Sequence, residues 1–170
     1  MHGLVIGRFQ PFHNGHRALL QKALEDCQQV TVAIGSSTAR PSLRNPFTAA
    51  ERRQMVAACF PVDLATGRLR VVEVPDVNNP PKYVAHVLGI TGPIDRAYGN
   101  DPSTLDLFAD AGIATHSPGL VDRERSEASA IRIQLAEDDS AWRKAVPAAV
   151  APLLQQWDAG RRLRGMEALA

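Results

Sequence analysis

The feature that most constrains this chain is an alternation. Short apolar runs at Gly3–Gly7, Val30–Gly35, Leu69–Val74 and Arg96–Tyr98 are separated by segments long enough for a helix. The runs are rich in β-branched or aromatic residues, as strands buried on both faces tend to be. In His16–Cys27 the apolar residues Leu19, Leu20, Ala23, Leu24 and Cys27 recur at helical spacing. Thr48-Ala49-Ala50-Glu51 is a capping box that opens a helix running to about Cys59. Asp101 before Pro102, with Gly112 beyond, brackets a helix over 102–111, and Pro80–Leu88 reads as another. This order over residues 1–117 predicts an α/β fold: a central parallel sheet with right-handed crossovers and helices on both faces. Residues 118–170 read as mainly helical, with Ser129–Ala136 followed by Ala141–Trp157, the latter interrupted by Pro147 and Pro152. No repeat or linker divides the sequence, so its 170 residues are expected to form one domain.

Parallel sheets of this kind bind ligands at the carboxyl ends of their strands. The turn after the first strand, Gly7-Arg8-Phe9-Gln10-Pro11-Phe12-His13-Asn14-Gly15-His16, is therefore the first place to look for chemistry. A dinucleotide fingerprint needs G-x-G-x-x-G and a P-loop needs G-x-x-x-x-G-K-[ST]; this turn has neither. His13 and His16 stand three apart where a helix begins, so a helical first turn puts them on one face. A helix N-terminus adds unpaired N–H groups and partial positive charge, Gly15 permits close backbone approach, and Arg8 adds a permanent fork of donors. Together these suit an anion. A metal would need a third ligand, which no neighbouring cysteine or H-E-x-x-H pattern supplies, and the bland alternative is an ordinary polar turn.

Charge narrows the partners. Nineteen basic against eighteen acidic side chains leave a formal charge of +1, so no global field recruits nucleic acid or an anionic membrane, and any anion must be held locally. Cys27 and Cys59 lie far apart and suggest small packing residues of a reducing compartment. With no apolar run near membrane-spanning length and no signal-like N-terminus, a cytoplasmic location is expected.

At this point the residues resemble a known series. His13-Asn14-Gly15-His16 is similar to the H-x-G-H signature of the nucleotidyltransferase superfamily, whose fold is Rossmann-like. The longer string from Gly7 to His16 resembles one branch, the archaeal-type nicotinamide-nucleotide adenylyltransferases. Asn45-Pro46-Phe47-Thr48-Ala49-x-Glu51-Arg52, Pro75-Asp76 with Tyr83-Val84-x-His86-Val87, Tyr98-x-Asn100-x-Pro102 and Ser129-x-Ile131-Arg132 continue the likeness in order along nearly the whole chain.

The resemblance implies attack of a nicotinamide mononucleotide phosphate oxygen on the α-phosphorus of ATP, giving NAD and pyrophosphate. It implies catalytic roles for His13, His16 and Arg132, and ATP contacts from Gly7, Arg8, Phe9, Gly15, Asn100, Ser129 and Ile131. On the acceptor side it implies Arg44, Asp76, Tyr83 and Asn79, with Tyr83 standing where relatives usually carry tryptophan and Pro80-Pro81 where they usually carry asparagine. It further implies Mg²⁺ arriving with ATP, no protein-held metal, and a homo-oligomer of up to six copies. The same chemistry on another acceptor (phosphopantetheine, FMN or a phosphoalcohol) and a catalytically silent nucleotide sensor are the competing readings. Arg161, Arg162 and Arg164 are expected to form a solvated C-terminal face.

Overall fold

The computed structural model describes residues 1–118 and 123–169. Its frame is a five-stranded sheet in the order β3-β2-β1-β4-β5, every neighbouring pair parallel. The strands are β1 (His2–Gly7), β2 (Gln29–Ile34), β3 (Leu69–Glu73), β4 (Arg96–Tyr98) and β5 (Ala114–His116). The chain winds outward from β1 to β3, then restarts on the other side of β1, so the order reverses between β1 and β4. Crevices open at the carboxyl ends of strands at such a reversal.

Side chains alternate across the pleat and divide the core in two. Val5, Val30, Val32, Ile34, Val71 and Tyr98 join one cluster, which is covered by α1 (Asn14–Asp26), α2 (Ala49–Cys59), α6 (Arg123–Ala136) and the C-terminal helices. Leu4, Ile6, Ala33 and Ala97 face the other way, onto α4 (Pro80–Thr91) and α5 (Pro102–Asp110). The sheet is thus covered on both faces, and the central strands β1 and β2 are buried along nearly their whole length for that reason.

Local signals behave as their chemistry requires. Thr48 caps α2 by accepting from Glu51 N at 3.1 Å, while Glu51 Oε1 accepts from Thr48 N at 3.0 Å. Such caps stabilise a helix by about 1 kcal/mol. Asp101 caps α5 through Ser103 N, and Gly112 ends it with φ +80°.

Four features differ from expectation. β5 is an additional edge strand, registered against β4. A short helix, α3 (Pro61–Ala65), follows α2. Helix α6 begins at Arg123, so Arg132 lies well inside it rather than at its start. As expected, the C-terminal segment is interrupted at Pro147, between α7 (Trp142–Ala145) and α8 (Ala151–Gln156), whose first turn holds Pro152, and α9 (Ala159–Leu169) follows. In α9 Arg162 is no solvated charge. Its guanidinium donates to Glu51 Oε1 and Oε2 at 2.8 and 2.9 Å and lies 5.7 Å from the Phe47 ring centroid, tying the C-terminus to α2.

Candidate active site

A cleft of about 540 Å³ opens where the strand order reverses, with Ile6 and Gly7 from β1 and Gly99 after β4 on its floor. That volume falls within the ~300–1,000 Å³ usual for small-molecule sites.

The first turn supplies one wall, and its histidines cap their own helix. Gly15 N donates to His13 Nδ1 at 3.1 Å, and His13 N donates to His16 Nδ1 at 3.2 Å. Two imidazoles thus play the parts that Ser/Thr and Glu play in an ordinary capping box. Because both Nδ1 atoms accept, the proton of each neutral ring resides on Nε2. The rings stack with centroids 3.7 Å apart; His13 is 1% exposed and His16 2%. His16 lines the cleft and Phe9 meets it edge-on, while His13 sits behind it with a buried Nε2 that has no partner. Burial, with the neighbouring His16 adding to it, pushes His13 down to about 2, so it is neutral at physiological pH. Glu127 Oε2 lies 3.4 Å from His13 Nδ1, but that nitrogen already accepts from Gly15 and the ring is uncharged, so the contact is no ion pair.

Arg132 closes this wall from far along the chain. Its Nη1 donates to Gln10 O at 2.8 Å and its Nη2 to Ser129 Oγ at 3.3 Å, which points the fork along the cleft beside the turn. Burial, then the nearby Arg8 and Arg44, lower its pKa. Three guanidiniums sharing one cavity repel one another and gain when an anion enters.

The opposite wall is acidic. Asp76 follows β3 and accepts from Ser36 Oγ at 3.0 Å; Tyr83, from the first turn of α4, packs edge-on against Phe108. Burial, with Asp76 and Asp101 adding to it, pushes the Tyr83 hydroxyl up to about 12. Asp101 and Thr104 complete this side, joined by a 2.7 Å hydrogen bond from Thr104 Oγ1.

Of the residues singled out from sequence, Gly7, Arg8, Phe9, His16, Arg44, Asp76, Tyr83, Ser129 and Arg132 line the cleft together. The remaining five lie off it. His13 is behind His16, and Ile131, 1% exposed, belongs to the apolar core beneath α6. Gly15 leaves room for the His13 ring and Glu127, which a Cβ there would meet at 2.9 and 3.0 Å. Asn100 lies between cleft-lining Gly99 and Asp101 with its buried Oδ1 unpartnered, and Asn79 is the N-cap position of α4.

Sequence reasoning gave no role to Gln10, Ser36 or Arg52. The Gln10 amide exchanges two hydrogen bonds with the Phe47 backbone, at 3.0 and 2.9 Å, and locks the turn to the loop before α2. Arg52 carried a signal that was available, since it stands with Met55, Val56 and Cys59 on the inward stripe of α2. Ser36 carried none.

Residues 4–80 match the cytidylyltransferase-like family model. The nicotinamide-nucleotide adenylyltransferase of Haloarcula marismortui is 37% identical over 165 residues, 96% of this chain and 86% of that protein. That of Picrophilus torridus is 34% identical over 166 residues, 98% and 97% of the respective chains. Among solved structures, a bifunctional NMN adenylyltransferase/ADP ribose pyrophosphatase from Francisella tularensis, complexed with AMP and a manganese ion, superposes with a TM-score of 0.72 at 20% identity. The chain spans about half of that protein, 52%, and the likeness shows the shared fold. With relatives at a third identity or more aligned over nearly the full length, the chain belongs to the nicotinamide-nucleotide adenylyltransferase family.

Proposed function

We propose that this cleft is where the enzyme joins nicotinamide mononucleotide to the adenylyl group of ATP, giving NAD and pyrophosphate. The observation that carries the reading is the division of charge: Arg8, Arg44 and Arg132 with the imidazole pair on one side, Asp76 and Asp101 beside Tyr83 on the other. A triphosphate suits the first side. A cationic pyridinium ring suits the second, where carboxylates and an aromatic face both attract it.

The phosphate oxygen of the mononucleotide attacks the α-phosphorus, the bond to the β-phosphate oxygen breaks, and pyrophosphate leaves. Such transfer needs alignment and charge neutralisation more than covalent help. His16 donates from Nε2 to the α-phosphate oxygens as charge builds there; His13, neutral and buried behind it, stacks on the His16 ring and holds it in place. Arg132 and Arg8 hold the β- and γ-phosphates, and Arg44, exposed at the rim, takes the acceptor's phosphate. Among the described residues no cluster of three or more His, Cys, Asp or Glu could hold a metal ion. The donors on the basic side of the cleft are guanidiniums, one imidazole and a hydroxyl, which fits Mg²⁺ carried in on ATP and held mostly by phosphate and water. Bound so, the cation would neutralise phosphate charge.

Among the described residues no helix is long and apolar enough to cross a membrane. A cytoplasmic homo-oligomer, up to a hexamer, belongs to this reading, and light scattering tests the assembly: a monomer contradicts it. The activity test is pyrophosphate release from ATP and Mg²⁺ beside a panel of acceptors. Turnover with nicotinamide mononucleotide is expected. Turnover with FMN or phosphopantetheine and none with that acceptor contradicts the reading, and tight ATP binding without turnover on any acceptor favours the sensor.

A further inference from the structure

Beneath the cleft lies a guanidinium that no step above uses. Arg52, on α2, is 1% exposed, and its donors go to main-chain carbonyls. Nη1 donates to Arg8 O at 2.8 Å and to Gly35 O at 2.7 Å, Nη2 donates to Ser36 O at 3.2 Å, and Nε donates to Thr48 O at 3.2 Å. Burial draws its pKa down to about 10, which leaves it charged at neutral pH.

The three carbonyls beyond its own helix belong to the two loops the reaction must bring together. Arg8 O lies in the turn after β1, whose side chains line the basic side of the cleft, and Gly35 O and Ser36 O lie in the turn after β2, where Ser36 donates to Asp76. Both turns carry a residue in the left-handed region: Phe9, directly after Arg8, has φ +54°, and Ser36 has φ +47°. Non-glycine residues stay in that region only when their surroundings over-determine them. Here the fixed fork of one arginine spans both turns, as a single-ammonium lysine could not.

We propose that Arg52 is a positioning residue for adenylyl transfer, holding the phosphate-side and acceptor-side turns at the separation in-line attack requires. The proposal rests on the reading of the cleft given above, which the wild-type rate tests separately.

The experiment compares wild type with Arg52→Lys, both verified as folded by circular dichroism and assayed well below their melting temperatures. Initial rates are measured with ATP and nicotinamide mononucleotide each varied at saturating levels of the other. Because misaligned reactants react slowly even when bound, kcat should fall roughly tenfold or more while both KM values stay within about threefold. A folded variant whose kcat is within about twofold of wild type overturns the proposal, whatever its melting temperature. If Arg52→Lys does not fold, the wild-type protein decides, through the nitrogen-15 resonance of Arg52 Nε–H. It should be protected from solvent exchange and should shift on adding a non-hydrolysable ATP analogue alone and nicotinamide mononucleotide alone. An unprotected resonance, or one indifferent to either substrate, overturns the proposal.

Discussion

The two walls of the cleft are built differently. On the basic wall the two histidines are buried and cap α1 with their own rings, and half-buried Arg132 is fixed through Gln10 O and the Ser129 hydroxyl. On the acidic wall Asp76 is exposed and Tyr83 is half-buried, and Asp76 accepts from the Ser36 hydroxyl. The difference teaches a division of labour. Charge development at the α-phosphorus is the same for any acceptor and rewards rigid, preorganised donors. Recognition of one acceptor requires only that the ring and its substituent meet the right charge, which a more open wall can provide.

The largest effect should come from the rigid wall. His16→Ala should lower kcat by about 10²–10³, the usual cost of removing one donor to a charge-developing oxygen, with the KM for nicotinamide mononucleotide little changed. Steady-state kinetics check this, and an unchanged rate would break the comparison. Arg132→Lys keeps the charge and loses the fork, so it should lower kcat/KM for ATP by ~10–100-fold, equivalent to about 1.5–3 kcal/mol of charge-assisted hydrogen bonding.

The open wall should respond in specificity instead. Two carboxylates beside Tyr83 attract a pyridinium but repel an acidic substituent on it. The wild type is therefore expected to prefer nicotinamide over nicotinate mononucleotide. Asp76→Asn should narrow that preference by a factor of roughly ten through KM, with kcat changed far less. Equal use of both acceptors by the wild type would contradict the assignment of this wall.

The smallest expected effect concerns stability. Unfolded, His13 takes a proton near its ordinary 6.5; folded, it stays neutral down to about 2. Between those values the unfolded state binds more protons, so stability falls as pH drops below about 6.5 and is unaffected above it. His13→Asn keeps a good N-cap without the titrating ring, so its melting temperature should fall less than that of the wild type between about pH 7 and about pH 5.

Much of this was legible where chemistry is local. The capping box at Thr48, the proline and glycine around α5 and the apolar strands are short-range patterns, and the structure follows them. The placement of two histidines on one face also followed from their spacing at a helix start. What stayed hidden depends on partners distant in sequence. β5 is three residues, Ala114–His116, that become a strand by pairing with β4. The early part of α6 is charged, Arg123-Glu124-Arg125-Ser126-Glu127, and has no apolar period to announce it. Arg162 read as a solvated charge because nothing near it in sequence names Glu51. Ser36 looks like any turn serine until β3 brings Asp76 beside it.

The most direct measurement of the central claim is a crystal structure of the protein with a non-hydrolysable ATP analogue and nicotinamide mononucleotide bound together. The account predicts the triphosphate among Arg8, Arg132 and His16 Nε2, with the pyridinium ring beside Asp76 and Tyr83. A triphosphate bound away from His16, or a nicotinamide ring on the arginine side, would contradict it.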